Sequence, residues 1–246
     1  MNAPSRAQIA DVLSSHGLHL RGAWQPKVSD ALPALANGKT AAVVWMVGAV
    51  GSSLWPAFSA SPFYADGLPD PLDRWSRAIA EELAQRWSGL ALFPFEGPPY
   101  WPFQQWAARA ETLHTSPLML RLHPTYGLWH AYRFALALPA VSPCDAPFLT
   151  SSSGVALAGA DVCMNCSGKP CLQACPAQAF DTKGYQLDAC ANLLHSPKGQ
   201  DCMQAGCLAR RACPVGTDYA YESAHAAFHM RAFAGSHLRV RTDAFL

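Results

Sequence analysis

Residues 163–176 read CMNCSGKPCLQACP, and a second, wider set of cysteines ends in Cys213-Pro214. Between Cys163 and Cys213 lie eight of the nine cysteines, within 51 residues. The first group is Cys163, Cys166, Cys171 and Cys175; the second is Cys190, Cys202, Cys207 and Cys213. Eight thiols are the number needed for two four-cysteine clusters. Where the last cysteine of such a run precedes proline, its thiol ligates the other of two clusters. The spacing therefore predicts two [4Fe-4S] clusters with crossed ligation. Cys163, Cys166, Cys171 and Cys213 would hold one, and Cys190, Cys202, Cys207 and Cys175 the other. Pro176 and Pro214 would turn the chain away after each crossing ligand.

A cube of iron and sulfide needs four thiolates arriving from different directions. Cysteines two to four residues apart in a tight loop supply three, and the loop aims backbone N–H groups at the sulfurs. The common run is C-x2-C-x2-C-x3-C-P. Here the gaps Cys166–Cys171, Cys202–Cys207 and Cys207–Cys213 are each two residues longer, so the loops must bulge. Two other readings stay open. Structural zinc usually comes as paired C-x2-C knuckles, and neither group divides that way. Disulfides call for an oxidising compartment, whereas the start, MNAPSRAQIADVL, lacks an apolar signal core.

The 246 residues suit one large or two modest domains with ample core. Half are hydrophobic and 14% are charged, low against about 25% for a soluble domain. That balance points to extensive burial, an apolar cofactor pocket or a docking surface. A net charge of +1 makes no electrostatic case for nucleic acid. The apolar run from Ala41 to Val50 is too short to span a bilayer. A cytoplasmic location is the expectation, in keeping with reduced thiols.

Ile9, Val12 and Leu13 predict one face of a helix over 5–15, closed by Gly17. Thr40 to Val47 (TAAVVWMV) reads as a buried strand. The Gly/Ser turn after it lacks the pattern of a phosphate loop. Asp70-Pro71 opens a helix, with Asp70 as N-cap and Trp75, Ile79, Leu83 and Trp87 as a buried stripe. Prolines at 94, 98, 99 and 102 forbid regular structure, and a second helix is expected over Phe103 to Leu113. Leu118 to Pro139 reads as strand, turn, strand, with Pro124 and Gly127 at the turn. His123, Tyr126, Trp129, His130 and Arg133 gather polar and aromatic groups there, and edge polars of an ordinary strand are an equal reading. Cys144 is read as a bystander. Residues 150 to 160 (TSSSGVALAGA) are a plausible linker, and a helix is expected over Tyr221 to Phe233.

The cysteine block, with Gly184 and LDAC (Leu187 to Cys190), resembles the two-cluster ferredoxin module of epoxyqueuosine reductases and related corrinoid-dependent reductases. In that family the isolated cysteine, here Cys190, joins the second cluster. The N-terminal half resembles the vitamin B12-processing (CblC-type) protein through DPLDRW (Asp70 to Trp75) and HPTYGLWHAYRFALALP (His123 to Pro139). The resemblance implies an α+β protein: a flavin-reductase/nitroreductase-like domain over 1–150, then a two-cluster ferredoxin-like domain over 151–246 with a helical tail. It also implies a corrinoid (cobalamin) pocket with His123, Tyr126, Gly127, Trp129 and Arg133 at or near it. No catalytic acid of the reductase family aligns.

The leading expectation is an iron–sulfur electron-transfer protein, an oxidoreductase reducing a corrinoid or another group bound by its N-terminal domain and fed by a redox partner or reductant. A stand-alone electron carrier docking a partner oxidoreductase is the alternative. A queuosine-type reductase is disfavoured, because the chain runs only 33 residues past Cys213 and shows no basic face. A zinc-stapled interaction protein is the remaining reading.

Overall fold

The computed structural model describes residues 3–152, 162–181 and 184–243, with side chains over 3–149, 162–181 and 184–235. In chain order the elements begin α1 (Arg6–Ser14), β1 (His19–Trp24), β2 (Val43–Val50), α2 (Trp55–Ser59), α3 (Pro62–Ala65), α4 (Pro71–Arg86), β3 (Leu90–Leu92) and α5 (Phe103–Ala110). They continue through β4 (His114–Thr115), β5 (Arg121–Leu122), β6 (His130–Leu138) and α6 (Ala146–Ser152). The cysteine-bearing part adds α7 (Pro170–Gln173), β7 (Phe180–Asp181), β8 (Gly184–Tyr185), α8 (Leu187–Leu194), α9 (Gln200–Ala205), α10 (Leu208–Arg211) and α11 (Ser223–Asp243). The class is mixed α+β with small antiparallel sheets. No helix among the described residues is long and apolar enough to cross a membrane.

The chain divides into two compact units, Met1–Leu113 with His130–Ala158, and His114–Trp129 with Gly159–Leu246. This differs from the boundary expected near residue 150. Residues 114–129 leave the first unit and pack in the second, because Leu118, Leu122 and Leu128 bury in a core with Cys171, Cys175 and Cys213. The expected linker lies mostly outside the described residues; α6 occupies its start.

The first unit is an antiparallel sheet in the order β1-β2-β6-β3. The β-branched run that predicts a strand becomes β2, starting three residues later than expected, and all but its last residue are buried. An uninterrupted apolar strand belongs in the middle of a sheet covered on both faces. Val44 and Met46, with Ala135 and Ala137 opposite on β6, face a core with Phe103, Trp106 and Ala110 of α5. The α4 stripe is buried as expected at Trp75, Ile79 and Leu83. Asp70 does sit at its N-cap position, but with φ 51° and without a side-chain capping bond. Pro71 fixes the first helical turn, and the Asp70 carbonyl accepts from the Asp73 and Arg74 N–H groups.

The strand expected over Trp129–Leu138 is present, yet its partners are β2 and β3 rather than the residues before the turn. Those earlier residues form β5, which pairs with β4. Between them, His123 and Gly127 make an isolated antiparallel bridge around the turn. Register along β2 and β6 shifts between Val47, opposite Phe134, and Gly48, opposite Tyr132. Arg133 is the extra residue of that bulge. A bulge re-aims a side chain, and Arg133 donates to Ser76 Oγ at 3.0 Å and pairs with Asp73, both on α4.

Among its described residues the second unit has little regular structure: helices of four to eight residues and one pair of two-residue strands besides β4 and β5, with only α11 long. Its cores combine cysteine sulfur with leucine and alanine. One holds Cys171, Cys175, Ala179, Ala209 and Cys213 with the three leucines of residues 114–129, the other Leu194, Cys202 and Ala234 of α11.

Candidate metal-cluster centre

Two cavities lie in the second unit, and the eight cysteines divide between them. The first, of about 160 Å³, is lined by Cys163, Cys166, Cys171 and Cys213. The second, of about 220 Å³, is lined by Cys175, Cys190, Cys202 and Cys207. Each takes three thiols from one group of the sequence and one from the other. Cys144, in the first unit, is exposed beside Ser142 Oγ at 3.1 Å.

Short local elements put the thiols in place. Cys171 rides on α7, whose first turn begins with Pro170 after Lys169 in a left-handed conformation. This is where the lengthened gap bulges, and Lys169 Nζ holds the loop by donating to the Cys163 carbonyl at 3.0 Å. Cys190 rides on α8 and Cys202 on α9, while Cys207 stands just before α10 and Cys213 soon after it. Cys175 opens a turn: the Gln178 N–H donates to its carbonyl at 3.0 Å and the Ala179 N–H to its sulfur at 3.4 Å.

The electrostatics follow the same division. Burial pushes the Cys171 thiol up, and Cys213 and Cys166 push it further. Burial likewise raises Cys213, with Cys166 adding to it and the Val215 N–H opposing. In the other set burial raises Cys190, the Tyr185 hydroxyl opposing, with Cys175 and Cys202 adding. Burial raises Cys207, opposed by the N–H groups of Arg210 and Ala209, while Cys202 and Cys190 add to it. In each case the thiols that act on one another line the same cavity. Four thiols so placed resist ionising together unless positive charge shares the space. Among the described residues no three of His, Cys, Asp or Glu gather tightly enough to hold one metal ion.

The wall of the first cavity includes residues that spacing arguments do not reach: Leu118, Leu122 and Leu128. They arrive with the excursion over residues 114–129, which fastens to the cysteine loops at a backbone crossing. Gly127 (φ +57°) and Gly216 (φ +70°) meet there. A Cβ on Gly127 would clash with the Val215 carbonyl, and one on Gly216 with the Tyr126 backbone. Arg210 Nε donates to the Leu128 carbonyl at 3.1 Å, and its guanidinium covers the rings of Trp129 and Tyr221. The second cavity is completed by Tyr185, and by His229, Met230 and Phe233 of α11.

The five residues associated with a corrinoid pocket fall in both units. His123, Tyr126, Gly127 and Trp129 belong to the second unit and Arg133 to the first. His123 stacks on Tyr126, centroids 4.2 Å apart, and its Nδ1 accepts from the Thr125 and Tyr126 N–H groups. Trp129 is buried beside Tyr221. None of the five lines either thiol cavity, nor the first unit's cleft beside β3.

No family model matches the chain, and no curated protein matches it.

Replacing Gly127 with Ala forces a side chain into the left-handed region, costing about 1–2 kcal/mol before any clash. Gly127→Ala should lower the thermal midpoint by several degrees, whereas Gly38→Ala, whose Cβ meets nothing within 4 Å, should cost only the backbone strain. Circular-dichroism melting of the two variants checks the difference.

Proposed function

We propose that this chain is an iron–sulfur electron-transfer protein whose second unit houses two [4Fe-4S] clusters, one in each thiol-lined cavity. The observation that carries the reading is the division of eight cysteines into two sets of four, each set around its own space. Cys163, Cys166, Cys171 and Cys213 would hold one cluster, and Cys175, Cys190, Cys202 and Cys207 the other. The donor set fits: four sulfurs, backbone N–H groups aimed at several of them, and apolar walls that limit water. Tetrahedral zinc, with sulfur at about 2.3 Å, would instead draw four thiols onto one point. The clusters, when bound, supply low-potential one-electron chemistry. The chain's own residues hold the cubes, exclude water and tune their charge.

The finer fold assignment, a flavin-reductase/nitroreductase-like unit followed by a ferredoxin-like one, belongs to the same proposal and rests on the resemblance of the quoted motifs. So does a corrinoid as the acceptor. One observation favours the alternative of an electron carrier that docks a separate oxidoreductase. Four of the five candidate pocket residues pack inside the second unit, where Gly127 and Trp129 serve the fold.

Protein purified without oxygen should contain about eight irons and eight acid-labile sulfides per chain. Zinc without sulfide would overturn the reading in favour of an interaction module. Mixing dithionite-reduced, cluster-loaded protein with hydroxocobalamin decides the acceptor. A change in cobalamin absorbance beyond that of dithionite alone supports the corrinoid reading, and its absence in a loaded, reducible protein supports the carrier.

A further inference from the structure

The second cavity carries a side-chain donor that the two-cluster reading does not use. β7 and β8 form a hairpin in which Phe180 pairs with Tyr185. Their rings stack at a centroid separation of 5.0 Å and an interplanar angle of 16°. Two residues after Tyr185 the chain enters α8, which presents Cys190. This hairpin-to-helix junction brings the Tyr185 ring and Cys190 to the wall of the same cavity. There the Tyr185 hydroxyl acts on the Cys190 thiol, opposing the burial that pushes the thiol up. At the first cavity the polar wall residues are bonded to backbone. Ser116 Oγ donates to the Leu120 carbonyl at 2.8 Å, and Lys169 Nζ to the Cys163 carbonyl.

A donor to a ligand sulfur draws electron density from it and stabilises the more negative, reduced state of the cluster that sulfur holds. A rigid donor on one ligand of one cluster therefore raises that cluster's potential and leaves its neighbour's alone. We propose that Tyr185 is a positioning residue that sets the potential of the second cluster through an O–H···S bond to Cys190. The proposal rests on the two-cluster reading. Burial pushes the Tyr185 phenol up from its ordinary value, so it stays protonated at neutral pH and remains a donor. The ring is 37% exposed, and loss of its oxygen opens no cavity in a core.

Potentiometric titration followed by EPR tests this in the full chain, loaded and kept free of oxygen. In wild type two midpoints should resolve. Tyr185→Phe should shift one of them downward and leave the other in place. Incorporating 3-fluorotyrosine at position 185, a stronger donor with the same shape, should shift that same midpoint upward. If Tyr185→Phe loses the cluster, the sign of the fluorotyrosine shift decides. Midpoints that stay put, move together or move in the opposite sense overturn the role of Tyr185, while the clusters themselves stand. Wild-type protein without iron and sulfide overturns the two-cluster reading, and the proposal with it.

Discussion

Each thiol-lined space is closed by a cysteine from the other half of the segment. Cys213 comes back to Cys163, Cys166 and Cys171, and Cys175 goes forward to Cys190, Cys202 and Cys207. This exchange constrains everything else in the second unit. The loop around α7 and the turn after α10 must lie side by side, although they are far apart in sequence. Pro176 and Pro214 follow the exchanged cysteines, where the chain has to turn away. Most of the regular elements are short, and cysteine sulfur packs beside the leucines and alanines of both cores. On the proposed reading, a core of this kind would gain stability from the clusters it binds, and folding and loading would be coupled.

The first unit depends on a different constraint. An uninterrupted apolar strand must sit in the middle of a sheet, and β2 does, between β1 and β6. Near one end of β2 a buried polar network takes over from hydrocarbon. Arg21, 4% exposed, donates to the Ala49 carbonyl at 3.1 Å and to Glu111 Oε2 at 2.9 Å, with His130 Nδ1 at 3.4 Å. Its guanidinium lies over the Tyr132 ring. A buried guanidinium is tolerated where its donors are matched in this way. Burial, and then the neighbouring Glu111, push the Tyr132 phenol up.

The partition of the cysteines between two cavities follows the grouping expected from thiol spacing and the prolines after Cys175 and Cys213. The strand at β2 and the stripe on α4 are legible because a strict apolar pattern leaves few places for a segment to go. The excursion over residues 114–129 is not. Leu118, Leu122 and Leu128 fall in an apolar stretch that reads as a strand, and that pattern does not say which core receives them. Arg133 reads as a pocket residue in sequence, but a bulge, which has no signature in a single chain, turns it toward Asp73 and Ser76. Tyr185 and His229 carry no comparable signal, since each reaches the second cavity from outside the dense cysteine runs. The Gly127–Gly216 crossing joins segments far apart in sequence, and neither glycine alone announces a partner.

Crossed ligation is the central claim, and paired serine variants followed by EPR test it most directly. In Cys213→Ser the signal that disappears or changes should match the one affected by Cys171→Ser, although positions 171 and 213 belong to different cysteine groups. Cys175→Ser should affect the other signal, together with Cys190→Ser. If Cys213→Ser instead shares its spectrum with Cys207→Ser, each group binds its own cluster and the crossing is contradicted.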